Sequence, residues 1–153
     1  MFIITTKFSK RRVLAAVAVT ALVLALIALP RSCRKNAAPP SIPAETNEQR
    51  VAYLASLGWE VSEQPIETLS VALGDTLEEP YESYNALQRE QGFDLNRCCG
   101  KTLLRYTYVV TNYPGAPLPC QANLYVCEGS VAAGDIVCTG ENGFMAPLAF
   151  PAA

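Results

Sequence analysis

The sequence contains no histidine, no C-x-x-C motif and no glycine-rich phosphate loop. Histidine is the usual base for serine and cysteine nucleophiles and a common zinc ligand. Its absence therefore excludes Ser-His-Asp and Cys-His catalysis and histidine metal sites. The six cysteines also lack zinc-binding spacing. We expect no metal, no cofactor and no enzymatic activity.

Basic residues are scarce in most of the chain. From residue 45 onward there are five basic and fourteen acidic residues, which gives this part a net charge of −9. Such a surface is repelled by phosphate backbones, so the sequence predicts no nucleic-acid partner. The other seven basic residues all lie within the first 35 positions and flank one hydrophobic segment.

That segment, 13–29, contains no charge, glycine or proline. A helix needs about 17–25 apolar residues to cross a bilayer. We therefore predict a cytoplasmic basic tail at 1–12 and a transmembrane anchor at 13–30, in contact with membrane lipid. The domain that follows would lie on the other side of the cell membrane, outside the cytoplasm. The alternative is a cleaved signal peptide and a secreted product.

Proline is concentrated directly after the predicted anchor, where residues 36–44 contain three prolines and no charge. Such a segment favours an extended conformation. We predict a stalk over 31–45 and one compact domain over 46–153, which is too short for two domains.

Two helices are predicted in this domain. Thr46 and Gln49 have the spacing of a capping box, which predicts a helix over 47–57 that ends at Gly58. A second helix is predicted over 76–91, with Asp75 as its N-cap and Gly92 at its end. Its proline, at position 80, is expected either to start the regular helix or to kink it.

The remaining segments predict strands. They are 66–73, 103–112, 121–127, 131–139 and a short final one within 144–150, with a hairpin turn at Glu128-Gly129. Together these segments predict an α+β fold: a two-layer domain with both helices on one face of a three- or four-stranded antiparallel sheet.

An ordered set of motifs resembles domain of unknown function 4830, an uncharacterised bacterial family. It comprises Arg50-Val-Ala-Tyr-Leu54, the run from Tyr84 to Leu95 continuing to Gly100-Lys101, Thr-Asn-Tyr-Pro at 111–114, and Gly134-Asp135. These motifs cover most of 46–150. The resemblance implies a membrane-anchored extracytoplasmic domain and assigns no catalytic residue.

One polar cluster is a candidate binding site. Tyr84, Asn85 and Gln88 lie within about one turn on the second predicted helix, and Asp94 follows it. These groups could bind a peptide or sugar through hydrogen bonds. Alternatively, the two amides satisfy backbone groups of the 92–100 loop.

Whether Cys120 and Cys138 face each other depends on the register of the two hairpin strands. If residue numbers of paired hairpin positions sum to 258, Cys120 faces Cys138 and a disulfide could join them. A slip of one residue would place them on opposite faces of the sheet. The alternative is buried free thiols.

Three functional hypotheses follow. The first is a non-catalytic domain that binds a protein, peptide or envelope component. The second is an envelope hydrolase with two paired carboxylates, such as Glu78 and Glu82. The third is a structural or regulatory subunit of a membrane complex, which predicts an exposed apolar patch on the sheet. Tyr106 and Tyr108 share one face of the predicted sheet. They could form an aromatic platform for a ligand, or they could be part of the core.

Overall fold

The computed structural model describes residues 41–115 and 119–151. These residues form an α+β domain with a five-stranded antiparallel sheet and two α-helices. The predicted basic tail and the predicted anchor at 13–30 lie outside the described residues. Among the described residues, no helix is both long and apolar enough to cross a bilayer.

The sheet is a meander in which each strand pairs antiparallel with the next one along the chain. Its strands are β1 (Glu67–Ala72), β2 (Thr102–Val110), β3 (Cys120–Cys127), β4 (Ser130–Cys138) and β5 (Phe144–Ala146). The prediction of three or four strands was too low. Both outer segments join the sheet, β1 through β2 and the short β5 through β4.

Helix α1 (Asn47–Ser56) follows the capping box expected from the sequence. The backbone N–H of Gln49 donates to the Thr46 hydroxyl at 3.3 Å, and the Thr46 N–H donates to Gln49 Oε1 at 3.1 Å. Gly58 then adopts a φ of 99°, the left-handed conformation that ends many helices. The predicted helix over 47–57 is confirmed.

Helix α2 (Tyr81–Glu90) begins later than predicted. The prediction of a start at 76 with Asp75 as N-cap was wrong, because Pro80 occupies the N-cap position. Proline has no N–H and is tolerated only at the start of a helix. Its carbonyl accepts the first bond, from the Tyr84 N–H at 3.1 Å. Gly92, with a φ of 87°, follows the helix as expected.

The two helices cover opposite faces of the sheet. Tyr108 pairs with Ala122 and contacts Arg50 of α1, whereas Tyr125 packs on Tyr84 of α2. Positions 122 and 125 of one strand differ by an odd number, so their side chains point to opposite faces. We call the α1 side the packed face and the α2 side the open face. The predicted two-layer arrangement, with both helices on one face, was wrong.

The packed face carries the larger core. Leu124, Ile136 and Leu54 of α1 are fully buried there. Trp59 is buried in the same cluster, and its indole N–H donates to the Leu148 carbonyl at 2.7 Å. The segment after β5 therefore closes this face.

The β3–β4 hairpin has the register that brings Cys120 opposite Cys138. Its turn residues, Glu128 and Gly129, have positive φ angles of 49° and 76°, as a tight hairpin turn requires. A disulfide joins Cys120 and Cys138, with Cα atoms 4.0 Å apart.

Residues 41–45 belong to the domain rather than to a stalk. The Val131 N–H donates to the Ile42 carbonyl at 2.9 Å, and the Ala44 N–H donates to the Gly129 carbonyl at 2.8 Å. Ala44 is fully buried. The predicted boundary at 46 was therefore too late, because hydrogen bonds to the hairpin hold the preceding residues against it. The rest of the predicted stalk, 31–40, lies outside the described residues.

Candidate functional site

Asn85 braces the loop that follows α2. Its side chain is buried, and its Oδ1 accepts the Leu95 N–H at 2.8 Å. Its Nδ2 donates to Asp94 Oδ1 at 3.1 Å. Both ends of the amide are therefore engaged within the protein, as the backbone-bracing alternative predicted.

Gln88 and its neighbour Gln91 pair with the edge of β4. The Gly134 N–H donates to Gln88 Oε1 at 2.9 Å, and Gln91 Nε2 donates to the Gly134 carbonyl at 3.1 Å. Gln91 Oε1 also accepts the Leu148 N–H at 2.7 Å. Gly134 lies beyond the stretch 136–138 that β5 covers, so these side chains satisfy its backbone groups instead. The prediction that Gln88 satisfies backbone groups of the 92–100 loop was wrong, because its side-chain partner is on β4.

Asp94 receives its hydrogen bonds from within the same loop. The Asn96 N–H and side chain donate to its Oδ1 at 3.1 and 2.8 Å, and Arg89 lies 3.6 Å from its Oδ2. Burial disfavours its charged form, but the hydrogen bonds from Asn85 and Asn96 outweigh this and lower the pKa of Asp94 to about 2. Asp94 and Asn85 together hold the loop after α2 in place.

Tyr84 is separate from that loop network and leads into a buried polar row on the open face. Its hydroxyl donates to Asp135 Oδ2 at 2.5 Å, and Asn123 Nδ2 donates to Asp135 Oδ1 at 2.8 Å. The Thr107 hydroxyl donates to Asn123 Oδ1 at 2.8 Å. The structure therefore divides the four predicted site residues: three of them brace backbone or loop, and Tyr84 faces the sheet.

Burial governs the titration of this row. Desolvation raises the pKa of Asp135, although the hydrogen bonds from Tyr84 and Asn123 oppose the shift. Desolvation also raises the pKa of the Tyr84 hydroxyl, and the neighbouring Asp135 charge raises it further. Tyr84 thus remains a neutral donor to Asp135.

A groove of about 490 Å³ opens above this row, between α2 and the sheet. The rings of Tyr84 and Tyr125 meet at its base with their centroids 5.5 Å apart. We call it the tyrosine groove. It is lined by Pro80, Tyr81, Ser83, Tyr84, Leu87, Tyr125 and Met145.

Beyond the groove, the open face has exposed apolar side chains. Met145 is 54% exposed, Leu69 is 42% exposed and Val109 is 36% exposed. By their register all three point to the open face. We call these three residues the open strip. The complex-subunit hypothesis predicted an exposed apolar patch on the sheet, and it stays a prediction, because these three side chains are spread over β1, β2 and β5.

The carboxylates of the hydrolase hypothesis are largely at the surface. Asp75, Glu78 and Glu79 line a second pocket of about 320 Å³, and all three are exposed. Glu82 is exposed as well. Across 41–115 and 119–151, Asp135 is the only buried carboxylate, and its hydrogen-bond partners are a tyrosine and an asparagine. In the same ranges no group of three or more His, Cys, Asp or Glu residues is placed to hold a metal ion.

Arg50 contacts both of the tyrosines that were candidates for a ligand platform. Its guanidinium lies 3.6 Å from the centroid of the Tyr106 ring. Its Nε donates to the Tyr108 hydroxyl at 2.9 Å, and one terminal nitrogen donates to the carbonyls of Ala44 and Glu45. Tyr106 and Tyr108 are therefore part of the packed face.

Sequence reasoning missed four residues: Arg50, Tyr125, Asp135 and Met145. Two of them had a usable signal. Arg50 shares the i, i+4, i+7 stripe of Leu54 and Leu57, and Asp135 is the only charge in an apolar strand. A charge at a core position usually indicates a specific buried partner.

A scan against protein-family models gave no match, and neither the search of curated proteins nor the search of solved structures gave one.

Proposed function

We propose that the chain is a single-pass membrane protein whose extracytoplasmic domain binds a segment of another protein without catalysing a reaction. The hydrophobic run at 13–29 and the likeness to domain of unknown function 4830 support the tether. Secretion after cleavage of that run is the alternative topology.

The tyrosine groove and the exposed apolar side chains of the same sheet face carry the binding proposal. Met145 is the residue common to both: it lines the groove and is one of the three open-strip residues, which are spread over β1, β2 and β5. Tyrosine and methionine are enriched in protein interfaces, where they combine apolar contact with a hydroxyl or a flexible side chain. Exposed apolar patches of this kind commonly mark interaction sites.

Charge indicates the chemistry of the partner. Four of the domain's five basic residues are already engaged, Arg50 in the packed face and Arg89, Lys101 and Arg105 in ion pairs. Glu79 accepts a hydrogen bond from Ser83, which lines the groove, and Glu78 lines the neighbouring pocket. An apolar segment with flanking lysine or arginine is therefore complementary to this surface.

A photo-crosslinking amino acid tests the surface in the native membrane. We expect position 145 to capture a discrete protein, and position 66 to capture far less of it. Ile66 is a matched control because its exposure, 55%, is close to the 54% of Met145, while it does not line the groove. Equal capture at both positions, or capture of lipid alone at 145, would overturn the proposal.

Charge reversal tests the chemistry of that partner. The double change Glu78→Lys and Glu79→Lys should lower the crosslink yield from position 145, and added salt should lower it in the unchanged protein. The pair Glu60→Lys and Glu63→Lys changes the net charge equally at exposed sites elsewhere. An equal loss in both pairs would mean that net charge, and not this surface, selects the partner.

Protease accessibility tests the topology. Protease added to intact cells should remove the domain if it lies outside the cytoplasm. Full-length protein in the soluble cytosolic fraction, or a domain that protease leaves intact, would contradict the tether.

A further inference from the structure

Three cysteines lie near one end of the sheet. Cys98 is the last residue of a short 3₁₀ helix (Leu95–Cys98), Cys99 follows it, and Cys127 is the last residue of β3. Cys98 and Cys127 are buried and Cys99 is partly exposed. The two buried thiols share one apolar cluster, which also contains Leu73, Leu95, Leu103 and Ala133.

Cys98 and Cys127 are buried side chains of this one cluster, and Cys127 is close enough to help raise the pKa of Cys98. A second set of contacts holds the two chain segments together. Lys101 Nζ lies 2.8 Å from Glu128 Oε2, next to Cys127, and the Lys101 N–H donates to the Cys98 carbonyl at 3.1 Å. Bridging distant cysteines requires backbone movement, whereas two thiols that share one buried cluster, on segments already held together, need much less of it.

We propose that Cys98 and Cys127 are a redox pair that closes to a second disulfide when a small-molecule or protein disulfide oxidises them. One thiol loses its proton and attacks the oxidant, which forms a mixed disulfide and releases one thiol. The second cysteine then displaces the other half as a second thiol. Two electrons and two protons pass from the pair to the oxidant, which leaves as two thiols.

The bridge would join the loop after α2 to the end of the β3–β4 hairpin. Cys98 lines a pocket of about 380 Å³ together with Phe93 and Val131, so the bridge would also fix one wall of that pocket. Burial raises the pKa of Cys98 to about 12, and the neighbouring Cys127 contributes to the rise. Because the thiolate is the attacking species, oxidation should be slow at neutral pH and faster at higher pH.

Differential alkylation of the purified full chain in detergent tests the pair. The protein is incubated with oxidised glutathione or with dithiothreitol, free thiols are alkylated, and the protein is digested. We expect Cys98 and Cys127 to lose alkylation together after oxidation, and Cys99 to keep it. Cleavage after Tyr125 and Glu128 separates Cys127 from Cys120 and Cys138, so that a linked peptide identifies the bridge.

Matched variants identify the partners. Cys98→Ala should leave Cys127 open to alkylation after oxidation, and Cys127→Ala should do the same for Cys98. Cys99→Ala, the adjacent control, should retain the bridge. Persistent alkylation of both thiols in the unchanged chain, a bridge through Cys99, or a stable glutathione adduct would each overturn the proposal. Because the unchanged chain already decides between these outcomes, a variant that fails to fold does not weaken the test.

Discussion

The packed face and the open face belong to the same sheet but are covered in different ways. Helix α1, Trp59 and the segment after β5 cover the packed face, whose central residues are fully buried. Helix α2 covers the open face only in part, over a row of polar side chains, and leaves the open strip exposed. We infer that one face supplies most of the stability and that the other is available for binding.

Each face buries one arginine or carboxylate side chain, and among the described residues neither of the two is in an ion pair. Arg50 on the packed face is held by two carbonyls, a hydroxyl and the face of the Tyr106 ring. Asp135 on the open face is held by Tyr84 and Asn123. Neutral donors and acceptors thus satisfy both groups, as buried polar atoms require.

The largest expected difference comes from truncating one apolar side chain on each face. Leu124→Ala should lower the free energy of unfolding by about 3 kcal/mol, because it opens a cavity at a fully buried position. Val109→Ala, on the open strip, should lower it by less than about 0.5 kcal/mol. Denaturant titration of both variants measures the contrast. Equal losses of unfolding free energy would show that the open face contributes as much to stability as the packed face.

A smaller effect is expected for the loop after α2. Asn85→Ala leaves the buried Leu95 N–H without its partner and should cost about 2 kcal/mol. Asn96→Ala removes another donor to Asp94 at an exposed position and should cost much less. Thermal denaturation of the two variants compares them. Unchanged stability in Asn85→Ala would restore the view that this amide is kept for a ligand.

The features that the sequence predicted correctly are local ones. The capping box at Thr46 and Gln49, the helix ends at Gly58 and Gly92, and the tight turn at Glu128-Gly129 each depend on a few neighbouring residues. The turn alone does not set the pairing of the two cysteines. Next to the turn, Cys127 pairs with Ser130, and a β-bulge between Tyr125 and Val126 then shifts the register by one residue, which brings Cys120 opposite Cys138. The sequence analysis could therefore state this pairing only as one of two outcomes.

The incorrect predictions concern contacts between distant segments. Periodicity shows that a helix has a buried side but not which face of the sheet it covers, so α2 was placed beside α1. The tyrosine groove combines α2, β3 and β5, and only the folded arrangement brings Tyr81, Tyr125 and Met145 together. The late start of α2 has a local cause, Pro80, which the sequence analysis considered without choosing between two outcomes.

The pH dependence of stability should include a contribution from Asp135, on the open face. Because the pKa of Asp135 is raised from 3.8, the folded state binds more protons than the unfolded state above that pH. Stability should therefore fall as the pH rises from about 4 through the raised pKa of Asp135. Asp135→Asn removes this contribution, so its advantage over the unchanged protein should grow with pH. Melting temperatures at a series of pH values test this, and parallel curves would contradict it.

Asp94, in the loop after α2, should give a smaller contribution of the opposite sign. Its carboxyl protonates near pH 2 when folded but near 3.8 when unfolded, so the unfolded state binds more protons between those values. The stability that Asp94 contributes is therefore present above about pH 4 and lost as the pH falls toward 2. Asp94→Asn should flatten the dependence of the melting temperature on pH in this acid range. Because Asn85 donates a hydrogen bond to Asp94, Asn85→Ala should also weaken the dependence of the melting temperature on acid pH. If this dependence is unchanged in both variants, it comes from carboxyl groups other than Asp94.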